Sequence, residues 1–387
     1  MRILVSGLIG QYAFGGVTWD YIQYVLGFQA LGHDVWYLED TSTWAYDPIR
    51  QEPSADCSFN VNYLERVMRE FDLGDRWIYR NEADGRYHGP AGDRHADRVI
   101  AESDLFVNVS GACWMRPVVA GIPRKLFIDG DPMFTHIGLT HAHRKGYLDH
   151  LLAHEEHFTF GLNVGQPGCK VPTAGMQWKP TVQPIALEWW RKNLLPPTAN
   201  HVARGAWTTV MNWSSYAPQE FEGEEYGQKD IEFLRFLDLP QRTEEKFLLA
   251  VGQGVGSNRP TDAITAAGWS IIEPDVCLPD YATYHDFLAN SKAEWSIAKN
   301  GYVKSLSGWF SCRSACYLAL GKPVVVQDTG WTAHLPSGEG VLAFSDPDEA
   351  ACAINAVAAN YDRHSQAARE FAEKYLDATK VCAELIG

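Results

Sequence analysis

The sequence is poor in cations and has no cluster of them. Its 387 residues include 33 Lys and Arg against 48 Asp and Glu, for a formal net charge of −15. Cations occur only in short pairs such as Arg144-Lys145 and Arg191-Lys192. Duplex nucleic acids and anionic membranes are bound through cationic surfaces. We therefore expect no nucleic-acid partner, although a local basic pocket for one phosphate fits this composition.

Long apolar runs are also missing. No stretch of about 20 apolar residues could span a bilayer, and residues 1–7 lack the apolar core of a signal peptide. The eight cysteines form no Cys-x-x-Cys pair, which indicates reduced and buried thiols. We therefore expect a cytoplasmic protein without an integral membrane segment.

What the sequence does contain is a regular alternation of strands and helices. A strand at 3–6, a helix at 17–31 that ends before Gly32, and a strand at 34–38 form one unit of a parallel sheet. Further strands are predicted at 105–109, 125–128, 157–161, 208–212, 247–251, 269–272, 294–298 and 323–327. Further helices are predicted at 61–71, 227–237 and 311–320, and the chain is mostly helical after 346. This alternation is typical of α/β proteins.

The length exceeds that of one compact core and fits two domains. Residues 194–200 (LLPPTAN) read as a linker. We predict an N-terminal Rossmann-like domain at 1–195 and a second Rossmann-like domain at 205–360, with the ligand site in the cleft between them.

A glycine-rich loop joins the first strand to its helix at residues 7–16 (GLIGQYAFGG). Glycines let the backbone approach a ligand, and the following helix N-terminus favours an anion or a hydroxyl-rich partner. We assign Gly15 and Gly16 as acceptor-binding residues; a plain turn is the alternative. The spacing does not match the dinucleotide fingerprint, because the loop between Gly10 and Gly15 is too long.

A second polar segment follows the strand at 125–128. Ligands of open parallel sheets bind at the carboxyl ends of the strands, and Asp129, Asp131 and His136 lie just past one. Any of these three could act as a general base, and Asp131 is the first choice because the turn before Pro132 projects it away from the sheet. Alternatively, Asp129 caps a turn and Asp131 begins a helix.

Histidines are dense between His136 and His157. Residues 150, 154 and 157 have the spacing of one helix face, but neither His-Glu-x-x-His nor a cysteine pair is present. We interpret them as a polar helix face and predict no metal site and no cofactor.

Residues 300–331 form the most informative segment. A turn at Ser307-Gly308 is predicted to open a helix whose N-terminus holds a phosphate, with Lys304 and Arg313 as nearby cations. Gly321 ends this helix, and a loop after the next strand turns back into the cleft. The donor-binding residues predicted here are Lys304, Ser307, Gly308, Arg313, Ser314, Asp328, Thr329 and Gly330. Two turns that follow strands of the same domain add Ser214 and Gly254.

This segment resembles the nucleotide-sugar-binding half of GT-B glycosyltransferases. Residues 308–311 (GWFS) are similar to the Gly-Trp-Asn-Ser of family-one enzymes, and residues 320–325 (LGKPVV) are similar to their helix exit. The whole sequence also resembles bacterial glycosyltransferase-like proteins. The resemblance implies two facing Rossmann-like domains, and a terminal helical segment at 361–387 that packs back toward the first domain.

The sequence departs from that pattern at three places. Ala315, Cys316 and Tyr317 stand where a Glu usually binds the ribose. The donor-gripping acid-amide pair is reversed, as Gln327-Asp328. The first loop lacks the histidine that family-one enzymes often use as a base.

The resemblance implies transfer of a sugar from a nucleotide-activated donor to an unidentified acceptor, without a metal. A nucleotide-sugar epimerase and a non-catalytic nucleotide- or carbohydrate-binding protein are the alternatives. The sequence carries no signal for an oligomeric state.

Overall fold

The computed structural model describes residues 1–141, 145–196 and 201–387. His143, Arg144 and most of the predicted linker lie outside these ranges. The strands of the first half are β1 (Arg2–Ser6), β2 (Asp34–Glu39), β3 (Ala45–Asp47), β4 (Glu52–Ser54), β5 (Trp77–Arg80), β6 (Tyr87–His88), β7 (Leu105–Val109), β8 (Arg124–Asp129), β9 (Glu156–Thr159) and β10 (Trp178–Pro180). Its helices are α1 (Gly15–Ala30), α2 (Ser58–Glu70), α3 (Gly92–Ala101), α4 (Pro117–Ala120), α5 (Phe134–Thr140), α6 (Lys145–Leu152) and α7 (Leu187–Trp190).

The second half repeats this organisation. Its strands are β11 (Trp207–Ser214), β12 (Gln219–Phe221), β13 (Glu224–Tyr226), β14 (Phe247–Gly254), β15 (Ser270–Ile272), β16 (Ala293–Ser296), β17 (Val324–Gln327) and β18 (Val341–Phe344). Its helices are α8 (Lys229–Phe233), α9 (Thr261–Ala266), α10 (Pro274–Cys277), α11 (Tyr281–Asn290), α12 (Asn300–Ser305), α13 (Cys312–Ala319), α14 (Pro347–Ala359), α15 (Tyr361–Phe371) and α16 (Ala378–Ile386). The predicted helix at 227–237 is instead the short α8 followed by a 3-10 turn at Leu234–Phe236.

Each half contains a parallel sheet that is covered on both faces. The first has the order β10-β9-β8-β7-β1-β2-β5-β6, and the second has the order β15-β14-β11-β16-β17-β18. Of the strand pairs in these two sheets, β5 with β6 is antiparallel and the others are parallel. Continuous apolar strands such as β1 and β17 are buried throughout their centres, as expected for a sheet with helices on both sides.

Both sheets have a topological switch point. Strand β1 lies between β2 and β7, and β11 lies between β14 and β16. The connections leave in opposite directions from such a point, so a crevice opens at the carboxyl ends of the two strands. The predicted α/β class with two Rossmann-like halves is confirmed; the domain limits given above stay a prediction.

Helix α1 forms the main contact between the halves. Its Trp19 indole donates a hydrogen bond to the Tyr281 carbonyl at the start of α11 (3.0 Å). The C-terminal chain also returns to the first half, where Ile185 donates to the Leu376 carbonyl (2.7 Å) and accepts from Ala378 (2.9 Å). Helix α16 then packs on α1, and the Cys382 thiol contacts the Tyr24 carbonyl (3.8 Å).

The prediction that the cysteines are buried is wrong for Cys277 and Cys352, which are exposed, and all eight thiols are free. Among the described residues, no helix combines the length and the apolar character needed to cross a membrane.

Gly15 and Gly16 lie at the α1–α11 contact. A Cβ on Gly15 would lie 2.5 Å from the Tyr284 Cβ and overlap the Asp280 carbonyl, whereas a Cβ on Gly16 would meet only the Tyr284 ring at 3.5 Å. The assignment of these two glycines to acceptor binding is therefore wrong for Gly15, because its open face is filled by the second half of the protein.

We expect Gly15→Ala to destabilise the protein by ~1–3 kcal/mol, because the added methyl group overpacks the contact. Gly16→Ala is the matched control, and it should be neutral or stabilising because Ala favours the helix. Thermal and urea unfolding of the two variants measure the difference. Equal stability of both variants would show that the contact between the halves is looser than described.

Candidate functional site

A cavity of about 440 Å³ lies between the two sheets. Its walls are residues that follow the carboxyl ends of strands in both halves, as the switch-point rule requires. The first half contributes Asp20, Tyr21, Val109, Ser110, Ile128, Asp129, Gly130, Asp131, Thr135, Phe160 and Gln183. The second half contributes Lys229, Lys299, Tyr302, Trp309 and Cys312.

Asp20 is the most perturbed carboxyl group of this cavity. Burial raises its pKa from 3.8 to about 6, even though a hydrogen bond with Cys312 and the charge of Arg313 act in the opposite direction. The sequence reasoning missed Asp20. The available signal was that it is the single charged residue of α1, at a position that faces the cleft rather than the solvent.

Lys229 lines the same cavity from the second half, as the first residue of α8. Within the described part of the chain, its ammonium group has neither a hydrogen-bond acceptor nor an ion-pair partner. Burial, together with the positive charges of Arg313 and Lys299, lowers its pKa well below the usual value. An anionic ligand would stabilise the charged form of this ammonium group, because the ligand would place a negative charge beside it.

Asp131 lies in the cavity, but its carboxylate is already occupied. Both of its oxygens accept from Lys299 (2.9 and 3.0 Å), one accepts from Tyr216 (2.5 Å), and the other from Tyr302. Burial and the negative charge of Asp131 raise the pKa values of both tyrosines, which remain protonated donors. This arrangement argues against the choice of Asp131 as a general base, because three protein donors already engage the two oxygens that would have to reach the acceptor.

Asp129 and His136 form a buried pair. One Asp129 oxygen lies 3.1 Å from the His136 Nε2 and accepts from Thr159 (2.8 Å), while the other accepts from the Asp131 amide (3.0 Å). Burial acts to raise the pKa of Asp129, but the hydrogen bond and charge of His136, with the hydroxyl donors, lower it overall. The other ring nitrogen of His136 faces the Pro172 carbonyl (2.8 Å). Both groups therefore hold the loop after β8, and His136 does not line the cavity.

The segment at 306–311 connects two helices, as predicted for the turn at Ser307-Gly308, and the helix predicted at 311–320 begins one residue later. Helix α12 ends at Ser305 and α13 begins at Cys312. Gly308 has φ +77° and lies so close to the Asn163 amide that a Cβ would approach it to 2.7 Å. Its own amide donates to the Thr329 carbonyl (2.8 Å). These backbone groups therefore bind protein and are not free for a phosphate.

Asn163 of the first half fastens this turn and the loop after β17. Its side-chain amide donates to the carbonyls of Leu306 (3.0 Å) and Gly330 (3.1 Å), and its backbone amide donates to the Ser307 carbonyl (3.1 Å). Ser307 and Gly330, two of the residues predicted to bind the sugar donor, thus form a contact between the halves. Thr329 instead donates to the carbonyl of Trp309 within its own half (2.7 Å), and Trp309 lines the cavity.

Arg313 and Lys304 are engaged by protein groups. Arg313 is buried, and its guanidinium group donates to Glu294 (2.5 Å), to the Val210 carbonyl (2.6 Å) and to Ser296. Lys304 donates to the Glu225 carbonyl (2.8 Å) on the hairpin β12–β13. Neither cation lines the cavity, which corrects the prediction that they bind the phosphate directly.

The other residues that were predicted to bind the sugar donor are also held by contacts within the protein. Asp328 accepts from the Gly330 amide (2.8 Å) and from Thr332 (2.7 Å), which closes the loop after β17. Ser314 is fully buried on α13. The turn after β14 packs on the end of β11, where the Ser214 carbonyl accepts from Val255 (2.9 Å) and directly covers Gly254.

The glycine-rich first loop binds an anion, but the anion belongs to the protein. The Glu39 carboxylate accepts from the Gly10 amide (2.8 Å), from the Gln11 amide and from the Tyr37 hydroxyl (2.8 Å). Burial raises the pKa of Glu39 to about 7 against these donors. The Gly10 and Gln11 amides are therefore not free for a ligand phosphate.

The histidines at 150, 154 and 157 are buried, so the prediction of a polar helix face is wrong. His150 stacks on Trp114 with 4.5 Å between ring centroids, and His157 lies 2.8 Å from the Leu151 carbonyl. Burial lowers the pKa of His150 to about 4 and that of His154 to about 3. In the ranges that the structure describes, no group of three or more His, Cys, Asp or Glu side chains could hold a metal ion.

Searches against protein-family models and against curated proteins give no match for this chain. Solved structures match over its full length. They include an alpha-glucosyltransferase in complex with UDP (11% identity, TM-score 0.56, 98% of that chain covered). They also include Anabaena Alr3699/HepE in complex with UDP and glucose (11%, 0.54, 98%) and sucrose-phosphate synthase from Thermosynechococcus elongatus (11%, 0.51, 97%).

These likenesses define the class of fold. Two Rossmann-like halves that face each other across a cleft, matched from end to end by glycosyltransferase structures, are the GT-B fold. The chain has this fold, which confirms the resemblance seen in its sequence.

Asp20 should destabilise the folded protein at neutral pH, because its pKa is raised on folding. Below pH ~4 the carboxyl group is protonated in both the folded and the unfolded state, so it does not lower the free energy of unfolding. As the pH rises to about 6, the loss of stability grows. We expect Asp20→Asn to be more stable than the parent by ~1–3 kcal/mol at pH 7.5 and about equally stable near pH 4. Urea unfolding over this pH range measures it. A variant less stable than the parent at pH 7.5 would mean that the carboxylate supports the fold.

Proposed function

We propose that the protein is a glycosyltransferase that transfers a sugar from a nucleotide-activated donor to the hydroxyl group of an acceptor. The observation that carries this proposal is that two groups line one cavity of a GT-B fold: Lys229, whose ammonium group has no partner among the described residues, and Asp20, whose carboxyl group has a raised pKa. Perturbed titratable groups that share a cleft favour a catalytic site over a purely structural one.

Lys229 supplies what the donor's diphosphate needs. As the bond between the anomeric carbon and the phosphate oxygen breaks, its electron pair moves to the diphosphate and negative charge grows there. A cation in the cavity stabilises that charge. Arg313 lies behind the cavity wall and adds positive potential at Lys229 without contacting the ligand. Because protein cations offset the leaving-group charge, we propose that the reaction requires no metal.

Asp20 supplies the base on the opposite wall. The acceptor oxygen forms the new bond to the anomeric carbon, and its proton passes to the Asp20 carboxylate. A pKa of about 6 leaves this group ionised at neutral pH and still basic enough to accept a proton. Ser110, Thr135 and Gln183 of the first half lie on the same wall. We propose them as polar acceptor contacts in place of Gly15.

We expect Lys229→Ala to weaken the binding of UDP by roughly ten- to a hundredfold, because a charge-assisted contact to phosphate is lost. UDP is the first nucleotide to test, since it is present in the alpha-glucosyltransferase and HepE structures. Lys304→Ala is the matched control and should bind like the parent, because Lys304 points to the β12–β13 hairpin. Calorimetry with and without a chelator should give the same affinity for the parent.

If Lys229→Ala binds UDP with the affinity of the parent, Lys229 is not part of the donor site. Loss of UDP binding in the chelator would overturn the metal-free part of the proposal.

We expect Asp20→Asn to lower turnover in a transfer assay by ~10²–10⁴-fold with little change in UDP affinity, because only the proton transfer is lost. Asp75→Asn, which removes an exposed carboxylate from the same half, should keep parental turnover. The assay screens nucleotide sugars against polyhydroxylated acceptors and analyses the products with and without acceptor. Epimerised donor in the absence of acceptor would identify an epimerase, and binding without any turnover would identify a binding protein.

A further inference from the structure

Three donor groups of the second half converge on one carboxylate of the first half. The Lys299 ammonium, the Tyr216 hydroxyl and the Tyr302 hydroxyl all donate to Asp131, and Lys299 also donates to the Tyr216 oxygen (2.8 Å). We call the site formed by Lys299, Tyr216 and Tyr302 the Lys299 pocket. It is a complete binding site for an oxyanion, and the protein's own Asp131 fills it.

Packing holds the donors of the Lys299 pocket in place. Tyr302 is only 2% exposed and lies against the Trp309 ring, with 4.6 Å between centroids. The Lys299 ammonium lies 4.7 Å from the centre of the Tyr216 ring. These two contacts lie within the second half, and Phe134 of the first half also packs on the rings of Tyr216 (5.1 Å between centroids) and Tyr302 (5.7 Å). None of these packing contacts involves the carboxylate, so the donors have support besides it.

The pocket lies beside the proposed phosphate cation. Lys299 and Lys229 line the same cavity, and the charge of Lys299 contributes to the lowered pKa of Lys229. A diphosphate bound to Lys229 would bring further anionic oxygens toward Lys299. A phosphate group and the Asp131 carboxylate are both anions, and the donors of the pocket can bind only one of them at a time.

We propose that Asp131 is an internal substitute for a phosphate group: it occupies the Lys299 pocket when no nucleotide is bound, and a phosphoryl group of a nucleotide diphosphate displaces it. This inference rests on the proposed nucleotide site. It assigns Asp131 a role that differs from catalysis, because the carboxylate competes with the ligand and thereby sets its affinity. It also couples ligand entry to release of a contact between the halves, since Asp131 and the pocket belong to different halves.

Inorganic pyrophosphate is a suitable probe, because it presents the phosphoryl groups alone. If Asp131 fills the pocket in nine of ten molecules, the apparent affinity for pyrophosphate is reduced about tenfold. We therefore expect Asp131→Asn and Asp131→Ser to bind pyrophosphate about tenfold more tightly than the parent in calorimetry. Replacing Lys299 by Ala in the Asp131→Asn background should abolish this gain.

A matched control separates the pocket from the general effect of charge. Glu102→Gln removes one negative charge from the same half, but Glu102 pairs with Arg2 at the opposite end of β1. This variant should bind pyrophosphate like the parent. Thermal unfolding without ligand shows whether each variant is folded before its affinity is compared.

The outcomes distinguish this inference from the proposed function. Unchanged or weaker binding in both Asp131 variants, with Lys229→Ala also weakened, would overturn the substitution by Asp131 and leave the nucleotide site standing. A gain in Glu102→Gln equal to that in Asp131→Asn would likewise overturn it, because charge alone would then explain the effect. Absence of pyrophosphate and UDP binding in the parent and in every variant would overturn both. Binding that is detectable only after Asp131 is replaced would support the inference.

Discussion

The close approach of helix α1 to helix α11 is the constraint on which the candidate site depends. Gly15 allows the first turn of α1 to lie against the Asp280 backbone, and Trp19 secures the same contact by a hydrogen bond. With α1 held there, Asp20 lies at the boundary between the halves and lines the cavity with Lys229. A side chain at position 15 would move this wall, and with it the carboxyl group that the proposed chemistry needs.

The cavity concentrates charges that the fold would be more stable without. Asp20 and Lys229 both have pKa values shifted by burial toward their neutral forms, so each costs stability when it is charged. By contrast, Arg313 and Glu294 are buried as a hydrogen-bonded pair, and Asp129 is paired with His136. Lys229, which has no partner among the described residues, lies in the cavity, whereas the Arg313–Glu294 pair lies behind its wall. This distribution supports a site whose missing partner is a ligand.

Much of the fold could be predicted from local sequence patterns. Continuous apolar strands such as β7 and β17, each followed by a polar turn, are visible in the sequence because parallel strands are buried on both faces. The helix after β1 and its terminal Gly32 are visible for the same local reason. The helix predicted at 227–237 is longer than α8, because the 3-10 turn that follows α8 continues the apolar spacing of a helix. The prediction of a polar face for the histidines at 150, 154 and 157 is wrong, because helical spacing alone does not reveal which side of a segment is covered.

The sequence by itself determined the two α/β halves and the GT-B resemblance, because strand burial, helix periodicity and turn residues are written in neighbouring positions. It also placed Asp129 and Asp131 at the end of a strand, and both line the cavity. Only the tertiary structure decided what each group binds. Asp131 accepts a hydrogen bond from Lys299, which lies 168 positions away in the sequence. Glu39 accepts from a backbone amide of the first loop, and Arg313 donates to Glu294. The availability of a charged side chain depends on the partners that folding brings to it, and those partners are distant in sequence.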